Sequence, residues 1–248
     1  MTPVLARTRD DICTALSLLT RLPVPAHGYR GAAASWAWPL AGLVLAVLAA
    51  FAGSVVLAFG LPAGGAAVVV LAVQVMTTGG MHEDGLADTA DGLWGGQTRE
   101  RRLEIMRDSR IGSYGVIALV LGLLTRWYAV TGLLAVGGHW GALIAAAVLS
   151  RGVLPLIMQG MAPARTDGLS KGTGRPGRMQ AALAGGIACV IAVLALGSGV
   201  FAAMLVGGIL ALLVVSAAQK RIGGQTGDIL GAVQQLVEIG VLFTLIGA

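Results

Sequence analysis

The sequence predicts an all-α, polytopic transmembrane helical bundle of about seven spans, preceded by an amphipathic helix at the membrane interface. Three observations predict it. Of the 248 residues, 56% are apolar and 12% are charged, a balance far from that of the average soluble domain. Apolar runs approaching the roughly 20 residues that a helix needs to cross a bilayer core recur along the whole chain. The basic residues behind the net charge of +5 lie in short segments between those runs and do not form a patch suited to nucleic acid. Membrane lipid is therefore the expected surrounding and nucleic acid is not an expected partner.

The first element is a helix over Val4–Leu22, with Ile12, Leu16 and Leu19 at helical spacing behind Arg7, Arg9, Asp10 and Asp11, a pattern that lies on a membrane surface. Its apolar run is short and meets Arg21 and Pro23, which does not fit a cleavable signal. Spans are then expected at Trp36–Phe59, Leu61–Gly80, Ser113–Val136, Trp140–Met161, Met179–Leu196, Val200–Ala218 and Ile229–Ile246. The 38 glycines and many alanines suit close packing between such helices. With the N-terminus in the cytoplasm, the basic stretch before Gly31 and those at Thr98–Ile111, Arg165–Arg178 and Lys220–Arg221 all fall on one side, and the opposite loops contain no Lys or Arg. This asymmetry orients the chain in a bacterial inner membrane. No internal repeat or linker stands out, so residues 1–248 read as one domain. Cys13 and Cys189 are far apart in apolar sequence and read as free thiols. A monomer and a homo-oligomer both fit the sequence.

The chemistry is concentrated in one place. Seven of the twelve acidic residues fall between Glu83 and Asp108, on the expected cytoplasmic face. Asp84, Asp88 and Asp91 recur at i, i+4 and i+7, so a helix aligns three carboxylates on one face. Like charges stacked in this way repel, and a hard divalent cation relieves the repulsion. Mg²⁺ held by a few carboxylates completes its shell with water and substrate phosphate oxygens, so the cluster predicts a Mg²⁺ cofactor and a phosphate-bearing substrate. The competing reading is a solvated face at the membrane edge, or carboxylates paired with nearby arginines. Glu83 points about 100° away from Asp84 on an ideal helix and is a weaker ligand candidate. His82 is placed to ligate metal, orient a phosphate or accept a proton.

Downstream, Arg107 and Arg110, with Asp108 between them, sit close to the acidic face, and guanidinium groups offer planar donors to phosphate. The alternative is an interfacial helix in which Glu104 and Arg107 pair. The stretch Gly223-Gly224-Gln225-Thr226-Gly227-Asp228 precedes the last apolar helix, where backbone amides and a helix N-terminus suit an anion; Asp228 equally suits a cap. Arg126, Arg151 and Glu238 lie inside expected spans, where a charge requires a partner.

Four separated blocks, Leu19–Pro25, Thr78–Gly92, Leu103–Arg110 and Gly223–Ala232, occur together in an order that resembles the cobalamin synthase family, the adenosylcobinamide-GDP ribazoletransferases. The second block, Gly-Gly-x-His-x-Asp-Gly-Leu-Ala-Asp-x-x-Asp-Gly, is the most specific. The resemblance implies a Mg²⁺-dependent membrane enzyme that joins adenosylcobinamide-GDP to α-ribazole, or its 5′-phosphate, and releases GMP. It carries over His82, Asp84, Asp88 and Asp91, then Arg107, Asp108 and Arg110, then Asp228. The chain departs from the family's pattern at Thr166 and Ser170, and at Gln235, where an acidic residue is common.

Two rivals remain to be weighed. A CDP-alcohol phosphotransferase shares Asp88-x-x-Asp91-Gly92, but Gly95 and Gly96 stand where its Ala-Arg pair is expected. A transporter shares the many spans, but its polar residues belong near the bilayer midplane between repeats, whereas here the acids gather at one face.

Overall fold

The computed structural model describes residues 3–246. Among them the secondary structure is helical, with no strand beyond an isolated bridge between Pro163 and Gln225. Helix α1 (Pro3–Leu19) is the expected amphipathic element, and its Cys13, Ala15 and Leu19 are buried. It stops at Leu19 because the Thr20 hydroxyl turns back to Leu16 O (2.7 Å) and receives the Leu22 N–H (3.2 Å), with Pro23 just beyond. The chain then runs through a 3-10 segment (Gly31–Ala37) into α2 (Trp38–Ala58). Asp11 fastens this return, accepting from Arg30 Nε and from Trp36 Nε1 at 2.9 Å.

Helix α3 (Ala63–Thr78) has 16 residues, or about 24 Å at 1.5 Å per residue, which is short of the roughly 30 Å hydrocarbon core. At Gly79 and Gly80, with φ of 68° and 70°, the chain turns by 86° into α4 (Met81–Gly95). Left-handed backbone at two successive residues suits glycine alone, and at Gly79 a Cβ would also lie 2.6 Å from Arg21 Nε. The acidic block thus begins inside a broken helix pair, not after a completed span.

The remaining helices are α5 (Arg99–Ile105), α6 (Ser113–Ala135), α7 (His139–Gly152), α8 (Leu154–Gly160), α9 (Leu169–Thr173), α10 (Arg178–Leu196), α11 (Val200–Ile222) and α12 (Gly227–Thr244). The expected Trp140–Met161 span is divided at Val153 into α7 and α8. Pro155, on the first turn of α8, cannot continue the α7 hydrogen-bond ladder.

Among the described residues, five stretches are long and apolar enough to cross a membrane, or six when the bent α3–α4 pair counts as one span. The seven expected from the sequence arise because one of the five, Arg178–Ile222, is 45 residues long. That length is about twice what one crossing needs, and the chain leaves helical geometry at Gly197 (φ 59°, ψ −133°) between α10 and α11. The spans expected separately at Met179–Leu196 and Val200–Ala218 are these two helices.

Helices α7 and α12 are the most enclosed of the spans, and both contribute to a polar cluster inside the bundle. Arg126 on α6 donates through Nη1 to Glu83 Oε1 (2.7 Å) and Gln235 Oε1 (3.0 Å), and through Nη2 to Gln74 Oε1 and Glu238 Oε1 (both 3.0 Å). Arg151 on α7 donates to Glu238 Oε2 at 3.3 Å. Two arginines and two glutamates therefore neutralise one another, with Gln74 and Gln235 accepting from Arg126 and Gln234 donating to Glu238. Glu238 has the partner its position demanded. Glu83, the weakest carboxylate candidate for metal, belongs to this cluster, and Gln235 stands between Glu83 and Arg126.

Candidate active site

The placement of the acidic block follows from how closely α4 approaches its neighbours. Against α12 the helices touch backbone to backbone: a Cβ at Gly85 would lie 2.9 Å from Asp228 O and 3.1 Å from Gly231 Cα. Glycine at both positions brings Asp84 beside the α12 N-terminus and its Asp228. Against α6, helix α4 runs antiparallel, with Leu86 beside Gly122 and Asp91 at Gly112 and Gly115.

This packing separates three carboxylates that the sequence places on one face. Asp84 is exposed, Asp88 is half-buried and Asp91 is buried. Both Asp91 oxygens are engaged by the first turn of α6, accepting from Gly112 N–H (2.7 Å) and Gly115 N–H (2.9 Å). Those amides have no intrahelical acceptor, and a carboxylate at a helix N-terminus supplies one and complements the dipole. A Cβ on Gly112 or Gly115 would stand 2.4 Å from an Asp91 oxygen, so glycine there admits the carboxylate. Among the described residues no group of three or more His, Cys, Asp or Glu side chains is gathered so as to hold a metal ion. Of the expected Asp84, Asp88 and Asp91 triad, Asp91 is the acceptor for the α6 N-terminus.

Asp84 and Asp88 do face a common space. With Arg107, Asp108 and Ser109 they line a polar cavity of about 470 Å³. Asp84 also lines a second cleft, of about 230 Å³, with His82, Arg165 and Asp228. Asp88 feels the like charges of Asp84, Asp228 and Asp91, opposed by Arg165. A crowded carboxylate pair of this kind fits Mg²⁺, which one or two carboxylates commonly hold while substrate phosphates complete the shell.

The basic groups divide differently from the expectation. Arg107 reaches the polar cavity and donates to Asp167 Oδ1 at 2.8 Å. Arg110 is 87% exposed along its side chain and is held by Asp108, with Nη2 to Oδ2 at 2.7 Å. The hydrogen bonds from Arg110 hold the Asp108 carboxyl down at about 2. Arg110 is thus the partner of Asp108 and not a cavity wall. The guanidinium that the sequence reading missed is Arg165, which reaches Asp228 Oδ2 at 3.2 Å and lies 3.7 Å from Asp167. Its signal in the sequence was its place in a basic segment between apolar runs.

In the glycine-rich block several of the polar groups expected to receive an anion have partners within the protein. Gly223 caps α11, its N–H directed at Ala218 O and Gln219 O. Gly224 packs on the 162–164 backbone, where a Cβ would stand 2.4 Å from Ala162 O, and Gln225 bonds Ala162 and Ala164 on either side. Thr226 accepts the Ile229 N–H (3.2 Å) as the α12 N-cap. The Gly223 and Gln225 amides and this hydroxyl fix the loop that carries Asp228, which does face the cleft. His82 is 3% exposed, and its Nε2 has no protein hydrogen-bond partner.

The cobalamin-5-phosphate synthase family model matches residues 11–246. The chain is 46% identical over 237 residues to the adenosylcobinamide-GDP ribazoletransferase of Mesorhizobium japonicum, covering 94% of this chain and 91% of that one. It is 44% identical over 240 residues to the protein of the same name from Bradyrhizobium diazoefficiens, with 94% and 91% covered. The Azorhizobium caulinodans protein of that name is 44% identical over 256 residues, with 96% and 95% covered. No solved structure matches the chain.

Proposed function

The chain belongs to the cobalamin-5-phosphate synthase family, and on that premise we propose that it transfers the phosphocobinamide moiety of adenosylcobinamide-GDP to α-ribazole or its 5′-phosphate, releasing GMP. The observation that carries the reading is the position of Asp84 as a wall common to two cavities. One is polar, with Arg107 at its edge, and suits a diphosphate; the other holds His82 and Asp228 and suits an alcohol acceptor. A phosphate and its nucleophile meet where two such spaces adjoin.

In the proposed reaction an acceptor ribose hydroxyl attacks the phosphorus bonded to cobinamide. The new P–O bond forms as the bond to the GMP oxygen breaks, and the hydroxyl proton leaves to His82 or to a carboxylate of the cluster. Arg107, released from Asp167, offsets charge on the departing GMP. Asp84 and Asp88 would hold Mg²⁺, which when bound screens the diphosphate charge. The site lies at the cytoplasmic face of the inner membrane, as the one-sided distribution of Lys and Arg supports.

The test is GMP release by purified protein in lipid, given adenosylcobinamide-GDP and α-ribazole, in Mg²⁺ and then in excess EDTA. GMP and a cobalamin product that both depend on the metal are the expected result. Absence of product from folded protein in Mg²⁺ would overturn the substrate assignment, and undiminished product in EDTA would remove the metal.

A further inference from the structure

Helices α4, α6, α11 and α12 do not close against one another on their exposed side, and they leave a groove of about 530 Å³. Its apolar walls follow helical spacing, with Leu86, Ala90 and Leu93 on α4 and Leu210, Leu213 and Ala217 on α11. Ile117 and Leu121 of α6 and Leu213 stand exposed around it. The groove lies at the end of the bundle where α6 begins and α11 ends, since it draws on Tyr114 to Leu121 of the one and Leu210 to Ala217 of the other. At 1.5 Å per residue it runs roughly 10 Å along the bundle, about a third of a hydrocarbon core.

Exposed apolar side chains are ordinary where lipid is the solvent, but the mouth of this groove is basic. The groove face of α11 continues past Ala217, at i+3 and i+4, to Lys220 and Arg221. Cα–Cβ bonds in a helix tilt toward its N-terminus, so both side chains lean from the last turn of α11 back toward the groove. The Arg221 guanidinium stacks over Trp94, 5.1 Å from the ring centroid, and Trp94 itself lines the groove and is 59% exposed. Arg102 of α5 joins them, its Nη1 donating to Arg221 O at 3.2 Å. Nearby, Arg99 and Arg101 pair with Glu100 and Glu104. Among the described residues Arg102, Lys220 and Arg221 have no carboxylate partner, and the guanidinium hydrogen bonds of Arg102 and Arg221 go to backbone carbonyls. Uncompensated cations above an apolar groove call for an amphiphile with a hydrocarbon chain and an anionic head.

We propose that the groove is a specific site for an anionic phospholipid, with one acyl chain lying between α6 and α11 against α4 and the phosphate meeting Lys220, Arg221 and Arg102. Basic pockets between membrane helices take such headgroups, and an interfacial indole marks the level at which headgroup and chain divide. The chain reaches the back of the helix that carries the acidic face, because Leu86 and Leu93 project roughly opposite Asp84 on α4. A seated lipid therefore completes the packing of α4 where protein leaves it open. The site does not depend on the transfer reaction proposed above, and its occupancy is read without turnover.

The test is quenching of Trp94 fluorescence by brominated-chain lipid, taken as the difference between wild type and Trp94→Phe. The vesicles are phosphatidylcholine with either brominated phosphatidylglycerol or brominated phosphatidylcholine added in graded amounts. Phosphatidylglycerol should bind more tightly, by about fivefold for each contributing cation. Lys220→Gln, at an exposed position, should lose about fivefold of that preference. Arg178→Gln, which removes an exposed cation at the start of α10, should keep it. Leu213→Phe narrows the groove without touching charge and should weaken quenching by both lipids. Equal quenching of wild type by the two lipids overturns the site. An equal fall in Lys220→Gln and Arg178→Gln also overturns it, because that result reports only anionic lipid gathering at a basic surface. Quenching by neither lipid overturns it as well and gives the groove to a second copy of the chain.

Discussion

Arg126 on α6 donates to Glu83 on α4 at 2.7 Å, and the residue that follows Glu83 is Asp84, the exposed carboxylate shared by the two cavities. A buried ion pair thus fixes the backbone from which the candidate catalytic carboxylate projects. Removing one partner leaves the other charge uncompensated, which costs about 3–5 kcal/mol at a buried site. Arg126→Met is expected to lower the thermal midpoint in detergent sharply, and Arg126→Met with Glu83→Gln to recover part of the loss. Equal midpoints for wild type and Arg126→Met would mean that the pair does not hold α4 in place.

Asp91 and Asp84 are expected to respond oppositely to substitution. Losing the acceptor at a helix N-terminus costs about 0.5–2 kcal/mol, so Asp91→Ala should be less stable, while Asp91→Asn, which retains an acceptor oxygen, should keep most of the activity. Asp84→Asn should unfold at the wild-type temperature with activity reduced at least a hundredfold. Circular dichroism melts together with GMP release distinguish the two, and an Asp91→Asn protein as inactive as Asp84→Asn would restore Asp91 to the metal site.

The contact between α4 and α12 depends on the missing side chain at Gly85. Alanine there would force its Cβ to within 2.9 Å of the Asp228 carbonyl, and overpacking of this kind costs about 1–3 kcal/mol. Gly85→Ala should reduce both stability and activity, because the separation of Asp84 from Asp228 changes with it. Gly186→Ala is the control: a Cβ there meets nothing within 4 Å, and its midpoint should be at or above that of wild type.

Arg107 and Arg110, three residues apart, should behave differently. Arg107 lines the polar cavity, so Arg107→Ala should raise the donor KM about tenfold, whereas Arg110→Ala should change it by less than twofold. The Asp108 carboxyl, held at about 2 by Arg110, has a folded value below its unfolded one. Whatever it adds to stability is therefore present above the unfolded value, near ~3.9, and is lost as the pH falls toward 2. Activity profiles between pH 5 and 9 should have the same shape in wild type and Asp108→Asn, and a displaced limb in that range would place Asp108 in the chemistry.

Local pattern made much of this protein legible. Apolar runs of span length gave the helical class, and the i, i+4, i+7 aspartates located the face around which both cavities form. The cost of a charge in lipid required a partner for Glu238 before Arg126 and Arg151 were seen beside it. The fate of individual members of that face was less legible. Asp84, Asp88 and Asp91 are equivalent in a helical projection, and they differ only because α6 begins beside Asp91 while Asp84 opens onto the two cavities. Gly223, Gly224 and Thr226 read as an anion cradle because glycine-rich turns before helices share one composition. Here the end of α11 takes the Gly223 amide, the start of α12 takes the Thr226 hydroxyl, and Gly224 is pressed against the 162–164 backbone.

The sequence by itself determined that the chain is a helical membrane protein with its acidic residues concentrated in one segment, and its four ordered blocks pointed to its family. These properties follow from hydropathy, charge asymmetry and spacing along one chain. Only the tertiary structure decided that Asp91 serves α6, that Arg165 and not Arg110 stands at the acidic cluster, and that Trp38 joins His82 on one cleft. Each of these depends on contacts between residues tens of positions apart, where helix crossings permitted by glycine set the distances, and a single chain's periodicity carries no record of which helices become neighbours.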